Sequence, residues 1–145
     1  NADLAFRYAT AVFGTYGYEL HPDELTKEER AQLKRYAETY RENEDLILCG
    51  DLYRVEQSPK FVSYVLVAKD KSRALLTFEQ LFYNALDKTK VLHLRGLDKD
   101  AYYRCSLDGK TYNGAVLENV GLRIDELLAG TGWAFCIMFA KINQR

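Results

Sequence analysis

The chain has 145 residues and a formal net charge of −1, with 48% hydrophobic and 28% charged residues. This is the composition of an ordinary soluble domain, and the length suits one domain or one domain with an appendage. The near-neutral charge provides no basic surface for nucleic acid, and the apolar runs, such as residues 135–140, are too short to cross a bilayer. We therefore expect no nucleic-acid partner and no membrane partner.

The N-terminal segment carries a helical pattern and then an apolar stretch. Leu4, Tyr8 and Val12 recur with the spacing of one helix face, which predicts a helix that ends at Gly14. We expect a short strand over residues 16–20. The segment has too few apolar residues for a core of its own, so in isolation it would expose an apolar patch and favour self-association into a homo-oligomer.

A charged segment follows, and it shows clear signals for the start of a helix. Thr26 and Glu29 have the capping-box spacing, in which each side chain accepts a hydrogen bond from the other residue's backbone N–H. The apolar residues of one helix face are Leu33, Tyr36, Ala37 and Tyr40. The pattern predicts one amphipathic helix that ends near Asn43.

From Leu46 onward the pattern changes to short strands separated by turns. The predicted strands span residues 48–55, 61–69, 73–83, 91–94, 102–106 and 133–141. Tight turns are predicted at residues 70–72 and at Asp108-Gly109. The sequence thus predicts a mainly β fold, an antiparallel β-sandwich of Greek-key type, with a boundary between residues 1–45 and residues 46–145.

Acidic and histidine side chains give no strong sign of chemistry. Asp98 and Asp100 flank Lys99 and are open to two interpretations. They could form a carboxylate pair or a calcium site, or they could belong to a solvated turn. We favour the solvated turn, because this segment offers too few oxygen ligands for calcium. His21 and His93 have no cysteine or carboxylate at metal-ligand spacing. We therefore expect no metal, no cofactor and no catalytic residue in this chain.

The three cysteines, Cys49, Cys105 and Cys136, are widely separated in the sequence. An odd number without close spacing predicts neither a disulfide framework nor a zinc site. Each lies in an apolar or alternating run and is expected to be a small core residue. Cysteines that are not paired in disulfides favour a reducing compartment, the cytoplasm.

Aromatic residues make up 13% of the chain, and exposed aromatic rings can stack on sugars. The candidates for sugar contact are Tyr102, Tyr103, Tyr112 and Trp133. The alternative, favoured by the frequency of aromatic residues in β proteins, is that these side chains fill the sandwich core and its rim.

Several motifs occur in an order that resembles one enzyme family. They are L-x-x-R-x-x-x-A at residues 4–11, F-G-x-x-G-Y-E-L at 13–20, G-D-x-Y-R at 50–54, L-R-G-L-D at 94–98, Y-Y-R at 102–104 and G-A-V-L-E-N-V-G-L at 114–122. This ordered set resembles the end of the catalytic barrel and the C-terminal sandwich of glycoside hydrolase family 36, the α-galactosidases. The sequence departs from the family pattern at His21, Lys99 and Glu118, where the family usually has Asp, Pro and Met.

The resemblance implies that residues 1–45 are a barrel-closing α/β remnant with one charged helix, and that residues 46–145 are a non-catalytic C-terminal domain. Retaining glycosidases need two carboxylates about 5 Å apart, and the family carries both upstream of the matched region. The chain alone is then inactive and braces the upstream barrel of a bacterial cytoplasmic enzyme that hydrolyses α-galactoside oligosaccharides such as raffinose and melibiose. The alternatives are a stand-alone carbohydrate-binding module or an assembly domain.

Overall fold

A computed structural model describes residues 3–19, 21–82, 89–124 and 133–142. The helices of this part are α1 (Leu4–Ala11), α2 (Lys27–Glu42), α3 (Glu44–Cys49) and α4 (Gly114–Asn119), with a 3-10 turn at Pro22–Glu24. Asp3 caps α1, since its side chain accepts a hydrogen bond of 2.7 Å from the Phe6 N–H. The predicted capping box of α2 is confirmed, with Thr26 and Glu29 bonded to each other in both directions.

The strands form one large antiparallel sheet and one small ribbon. They are β1 (Asp51–Gln57), β2 (Phe61–Val67), β3 (Arg73–Gln80), β4 (Lys90–Leu92), β5 (Tyr102–Cys105), β6 (Thr111–Asn113), β7 (Leu122–Ile124) and β8 (Trp133–Ile142). The large sheet has the order β1-β2-β3-β8-β5-β6, and β4 pairs with β7 in the ribbon. The long strand β8 returns to lie between β3 and β5, so it joins the two halves of the sheet.

Strand β3 lies near the middle of the large sheet and is covered on both sides. Its residues 74–80 are all buried, although successive side chains point to opposite faces. Leu76 and Phe78 point to one face, and Leu75 points to the other. The sheet therefore has two buried faces, each with its own cluster of apolar side chains.

We call the first of these the sandwich face, and the β4–β7 ribbon and α4 contribute to its core. The buried members are Phe61, Val65, Val67, Ala74, Leu76, Phe78, Leu92, Leu94, Leu97, Ala101, Tyr103, Cys105, Leu117, Leu122, Ile124, Ile137 and Phe139. Close backbone packing ties α4 to the turn before β5, since a Cβ on Gly114 would lie 2.0 Å from the Asp98 carbonyl oxygen. This face contains most of the protein's buried apolar side chains.

We call the second the helical face, because α1 and α3 lie directly on it and α2 packs against them. Its buried members are Tyr8, Val12, Leu46, Ile47, Leu66 and Leu75. The helices also bring half-buried rings to its edge, and these are Phe13, Tyr16, Tyr36 and Tyr40. The molecule is thus a sheet between a small β layer and a helical layer.

The mainly β, antiparallel class predicted from the sequence is confirmed, and several local predictions are wrong. Residues 46–49 are part of helix α3 and not the start of a strand, because Leu46 and Ile47 are adjacent and pack together on the helical face. Residues 16–19 form no strand, and β3 ends at Gln80. Tyr83, the predicted end of that strand, lies outside the described residues.

The N-terminal segment does not expose its apolar residues in the way the sequence predicted. Tyr8, Ala9 and Val12 are buried against the large sheet, with at most 3% of their surface exposed. The domain boundary at residues 45 and 46 stays a prediction. No helix in the described ranges is long and apolar enough to span a bilayer.

Candidate functional site

Tyr103, one of the four candidate sugar-contact residues, is fully buried on the sandwich face. Its hydroxyl donates a hydrogen bond to the Lys71 carbonyl oxygen at 2.9 Å and accepts one from the Asp98 N–H at 3.0 Å. Burial raises the pKa of this phenol. Both of its hydrogen bonds are internal, so the Tyr103 side chain fastens two turns together and presents no face to a sugar.

The other three aromatic candidates, Tyr102, Tyr112 and Trp133, are half-buried and do not lie side by side. Tyr102 points to the face of β5 opposite to Tyr103 and Tyr112, because Tyr103 and Tyr112 are directly paired across β5 and β6. Trp133 and Ile142 lie at opposite ends of β8, about 30 Å apart along the strand. Because Ile142 is the strand partner of Tyr102, Trp133 is also far from Tyr102. Sugar contact at these residues stays a prediction, and the fold supplies no common platform for it.

Tyr112 and Trp133 already have partners within the chain. The Tyr112 hydroxyl donates to Asp108 Oδ2 at 2.6 Å, and this hydrogen bond, with burial, raises the pKa of Tyr112 to about 12. The Trp133 ring packs 5.1 Å from the Phe135 ring. These contacts fix the rings in place as parts of the sandwich rim.

The Asp98 and Asp100 pair forms a turn. Asp98 Oδ1 accepts the Asp100 N–H at 3.1 Å, and Asp98 Oδ2 accepts Lys141 Nζ at 2.8 Å. The Lys141 ammonium, followed by the Asp100 N–H, lowers the pKa of Asp98. The bonds match the solvated-turn interpretation. Among the described residues, no group of three His, Cys, Asp or Glu side chains is placed to hold a metal ion.

A cluster of tyrosine rings joins α1, the segment after it and α2. Tyr8 stacks on Tyr36 at a centroid distance of 4.3 Å, and Tyr16 stacks on Tyr40 at 5.3 Å. Tyr16 also makes edge-to-face contacts with Tyr8 and Tyr18. Offset and edge-to-face ring pairs each add about 0.5–1.5 kcal/mol beyond their buried area, so this tyrosine cluster holds the helical layer together.

Three hydroxyls of the tyrosine cluster have no hydrogen-bond partner in the described ranges. The Tyr8, Tyr16 and Tyr18 oxygens are buried and have no partner among the described residues, whereas Tyr40 donates to the Gly14 carbonyl oxygen at 2.8 Å. Burial raises the pKa of Tyr8, and burial with neighbouring Tyr36 raises that of Tyr18 to about 12. A buried hydroxyl without a hydrogen-bond partner costs about 1–3 kcal/mol of folding free energy. The hydrogen-bonding groups of the helical layer are therefore incompletely satisfied among the described residues.

A buried carboxyl lies under the same layer. Glu79 projects from β3 toward α1 and has 7% of its surface exposed. Its only hydrogen bond within the described residues is from the Thr10 hydroxyl, at 3.2 Å. Burial raises the pKa of Glu79, and the Thr10 hydrogen bond opposes that shift. A carboxyl in this position is poorly compensated if it ionises.

A cavity of about 320 Å³ lies between α1, α2 and β8, and it is near Glu79 because Ala134, the partner of Glu79 across β3 and β8, is one of its lining residues. Its walls include the stacked Tyr8 and Tyr36 rings, Thr39 and Cys136. Burial, and then the Glu79 charge, raises the pKa of the Cys136 thiol to about 12. An aromatic cavity beside an unpaired carboxyl is suited to a cationic side chain with an apolar stem.

Sequence reasoning missed Glu79 and the tyrosine cluster as candidate functional residues. The sequence did contain one signal, because a charged residue stands inside the apolar strand at residues 74–80. Periodicity places Glu79 on the same face as Thr77 and Leu75. It does not reveal that a helix from the N-terminal segment covers that face.

Comparison with known proteins places this fold in a family. Residues 62–137 match the family model described as the glycosyl hydrolase family 36 C-terminal domain. The chain is 34% identical over 118 residues to the bifunctional alpha-galactosidase/sucrose kinase AgaSK of Mediterraneibacter gnavus, a match that covers 80% of this chain and 13% of that protein. It is 31% identical over 124 residues to alpha-galactosidase 2 of Hypocrea jecorina, which covers 83% of this chain and 16% of that protein.

Solved structures agree with the sequence matches. The galactosidase domain of AgaSK superimposes with a TM-score of 0.88 at 30% identity, over 94% of this chain and 19% of that one. The GH36 alpha-galactosidase AgaB of Geobacillus stearothermophilus gives a TM-score of 0.90 at 26% identity, over 98% of this chain and 20% of that one. The chain thus spans less than a fifth of the length of the curated relatives named here. The family-model match and these similarities lead to one conclusion, that the chain belongs to the glycosyl hydrolase family 36 C-terminal domain family.

Proposed function

We propose that this chain is the non-catalytic C-terminal domain of a longer α-galactosidase. The observation that supports this most directly is the asymmetry of the matches, which cover 83% of this chain and only 16% of alpha-galactosidase 2 of Hypocrea jecorina. The proposed parent hydrolyses terminal α-galactosyl residues of oligosaccharides with retention of configuration. The two carboxylates for that reaction belong to the catalytic barrel, so the chain alone is expected to be inactive.

The role proposed for the chain is to brace the barrel. The sandwich face supplies a large apolar core, and the helical layer carries three buried tyrosine hydroxyls that have no partner among the described residues. A layer of this kind suits contact with another domain, because buried polar groups of single domains are normally satisfied internally. In this proposal the helical layer faces the barrel and the sandwich core keeps it rigid.

The test is to measure the natural protein in its source cells with an antibody raised against this chain. We expect a band several times larger than the 16.7 kDa of the chain, and α-galactosidase activity toward raffinose in the immunoprecipitate. The recombinant chain alone is the matched control and should show no activity. A band near 16.7 kDa, or an immunoprecipitate without activity, would refute the proposal.

A stand-alone carbohydrate-binding module is the alternative that the aromatic content raised. The placement of Tyr102, Tyr112 and Trp133 gives it no support, because Tyr102 and Tyr112 point to opposite faces of the sheet and Trp133 lies at the far end of β8. Calorimetric titration of the chain with raffinose separates the two functions. A brace should show no saturable heat, whereas a binding module should show a saturating isotherm.

The proposed location is the bacterial cytoplasm. Cys49, Cys105 and Cys136 are all free thiols, which suits a reducing compartment. We also retain self-association through the helical layer, as a homo-oligomer or an assembly domain, as a proposal for the isolated chain. Cell fractionation with the same antibody tests the first point, and light scattering of the purified chain tests the second.

A further inference from the structure

Glu79 is a buried acidic group that has no counter-charge in the part of the chain that the structure describes. Thr10 from α1 and Cys136 from β8 are the polar groups that face it, and its neighbours across the sheet are Val62 and Ala134. Within the described residues, no lysine, arginine or histidine forms an ion pair with it. Acidic side chains are very rarely buried without a partner, so this position calls for one.

The surroundings of Glu79 specify the chemistry of the missing partner. The carboxyl lies at the seam between α1 and the sheet, beside the exposed hydroxyl-bearing residue Thr10. The adjoining cavity has aromatic walls from Tyr8 and Tyr36. Such walls favour the apolar stem and the delocalised charge of an arginine or lysine side chain, whose head would then reach the carboxylate.

The position of α1 identifies where that side chain comes from. Thr10 lies seven residues after Asp3, which is about 10 Å along the helix axis. This step rests on the proposed function, in which a catalytic domain is joined to the chain ahead of α1. Such a domain must lie close to the seam between α1 and the sheet. We propose that an arginine or lysine side chain of the catalytic domain enters the cavity between α1, α2 and β8 and pairs with the Glu79 carboxylate.

The pairing predicts that Glu79→Gln acts in opposite directions in two contexts. In the 145-residue chain at pH 7 the substitution removes a buried carboxyl whose ionised form is disfavoured by burial, so the thermal unfolding midpoint should rise by about 2–4 °C. In the longer natural polypeptide it removes one partner of an interdomain ion pair. There the unfolding midpoint of this domain should fall by a similar amount, and protease should cut between the domains several-fold faster.

The pH dependence of the unmodified protein provides a second test. A folded-state pKa that is raised contributes stability at low pH, and this stability is lost as the pH rises through the folded value. The stability that Glu79 contributes should therefore fall above about pH 4.5 in the chain alone, and it should increase with pH over the same range in the longer polypeptide.

Glu38→Gln is the matched control, because Glu38 is an exposed side chain on α2 that forms an exposed ion pair with Lys34. It should change the midpoint by less than about 1 °C in either context. If Glu79→Gln stabilises both proteins, or if the pH dependence has the same sign in both, the pairing with a cation is refuted while the proposed function stands. An antibody band near 16.7 kDa would refute both together.

Discussion

The two faces of the large sheet differ in how completely they satisfy their buried groups. On the sandwich face, Tyr103 is fully buried and its hydroxyl makes two hydrogen bonds, one donated and one accepted. On the helical face, Tyr8 is as deeply covered, but its hydroxyl has no partner among the described residues. The same residue type is therefore fully satisfied on one face and unsatisfied on the other.

This difference separates the part of the protein that folds for itself from the part that serves a contact. Among the described residues, the sandwich face has a large cluster of buried apolar residues, while the helical face has a smaller cluster and a buried carboxyl. Unsatisfied buried polar groups are costly, so a layer that contains several of them is better explained as one half of an interface than as a completed core.

The largest effects are expected from two neighbouring leucines of β3 that point to opposite faces. Leu76→Ala removes a fully buried side chain from the sandwich face, and Leu75→Ala removes one that is 2% exposed from the helical face. Each should cost about 2–5 kcal/mol of the free energy of unfolding, with Leu76→Ala near the upper end because its cluster can collapse less. Urea denaturation of both variants measures this. A larger cost for Leu75→Ala would contradict the contrast.

A smaller pair of effects, opposite in sign, is expected from the two tyrosines. Tyr103→Phe leaves the Lys71 carbonyl and the Asp98 N–H without their partner, so it should lower the free energy of unfolding by about 1–3 kcal/mol. Tyr8→Phe removes an unsatisfied hydroxyl and should raise that free energy by about 1 kcal/mol. The measurement is chemical denaturation at pH 7. Equal losses in both variants would show that the Tyr8 hydroxyl is satisfied in solution.

Local signals in the sequence predicted much of the sandwich but little of the helical face. The capping box at Thr26 and the turns at residues 70–72 and 108–109 depend on neighbours in the chain, and the structure has all three. The alternation that predicted strands gave their positions to within a few residues. Helix α3 was mistaken for a strand, since Leu46 and Ile47 occur in a short apolar run that periodicity alone does not assign.

The candidate functional residues were harder to predict, because their meaning depends on distant parts of the chain. Thr10 and Glu79 are 69 positions apart, and only the fold shows that they are in contact. Tyr103 looked available for a sugar because one of two adjacent strand residues must face outward, and the structure turns Tyr103 inward. The alternating pattern of a strand predicts which residues share one face of a sheet. It does not predict which element of the chain covers that face.

A still smaller and more local effect is expected at the start of α2. Thr26→Ala removes a capping box from a helix that has no fully buried residue, so it should cost about 1 kcal/mol, mostly as fraying of that helix. Hydrogen exchange should accelerate in the first turns of α2 and stay unchanged in β3. Glu29→Gln is the control, because glutamine can accept the same hydrogen bond from Thr26. Faster exchange throughout the sheet would mean that α2 is needed for the whole fold.

The smallest effect is expected on the acid side of the stability profile, at the turn that Tyr103 fastens. Lys141 and the Asp100 N–H lower the pKa of Asp98, so its contribution to stability is present above the ordinary aspartate value and is lost as the pH falls through the lowered folded value. Asp98→Asn should therefore flatten the loss of stability below about pH 4. Lys141→Gln should produce the same flattening, and the double variant should add nothing further, because both changes remove one ion pair. Additive effects of the two substitutions would show that Asp98 is stabilised by the backbone N–H groups of its own turn and not by Lys141. The sandwich face would then depend on local hydrogen bonds at this turn.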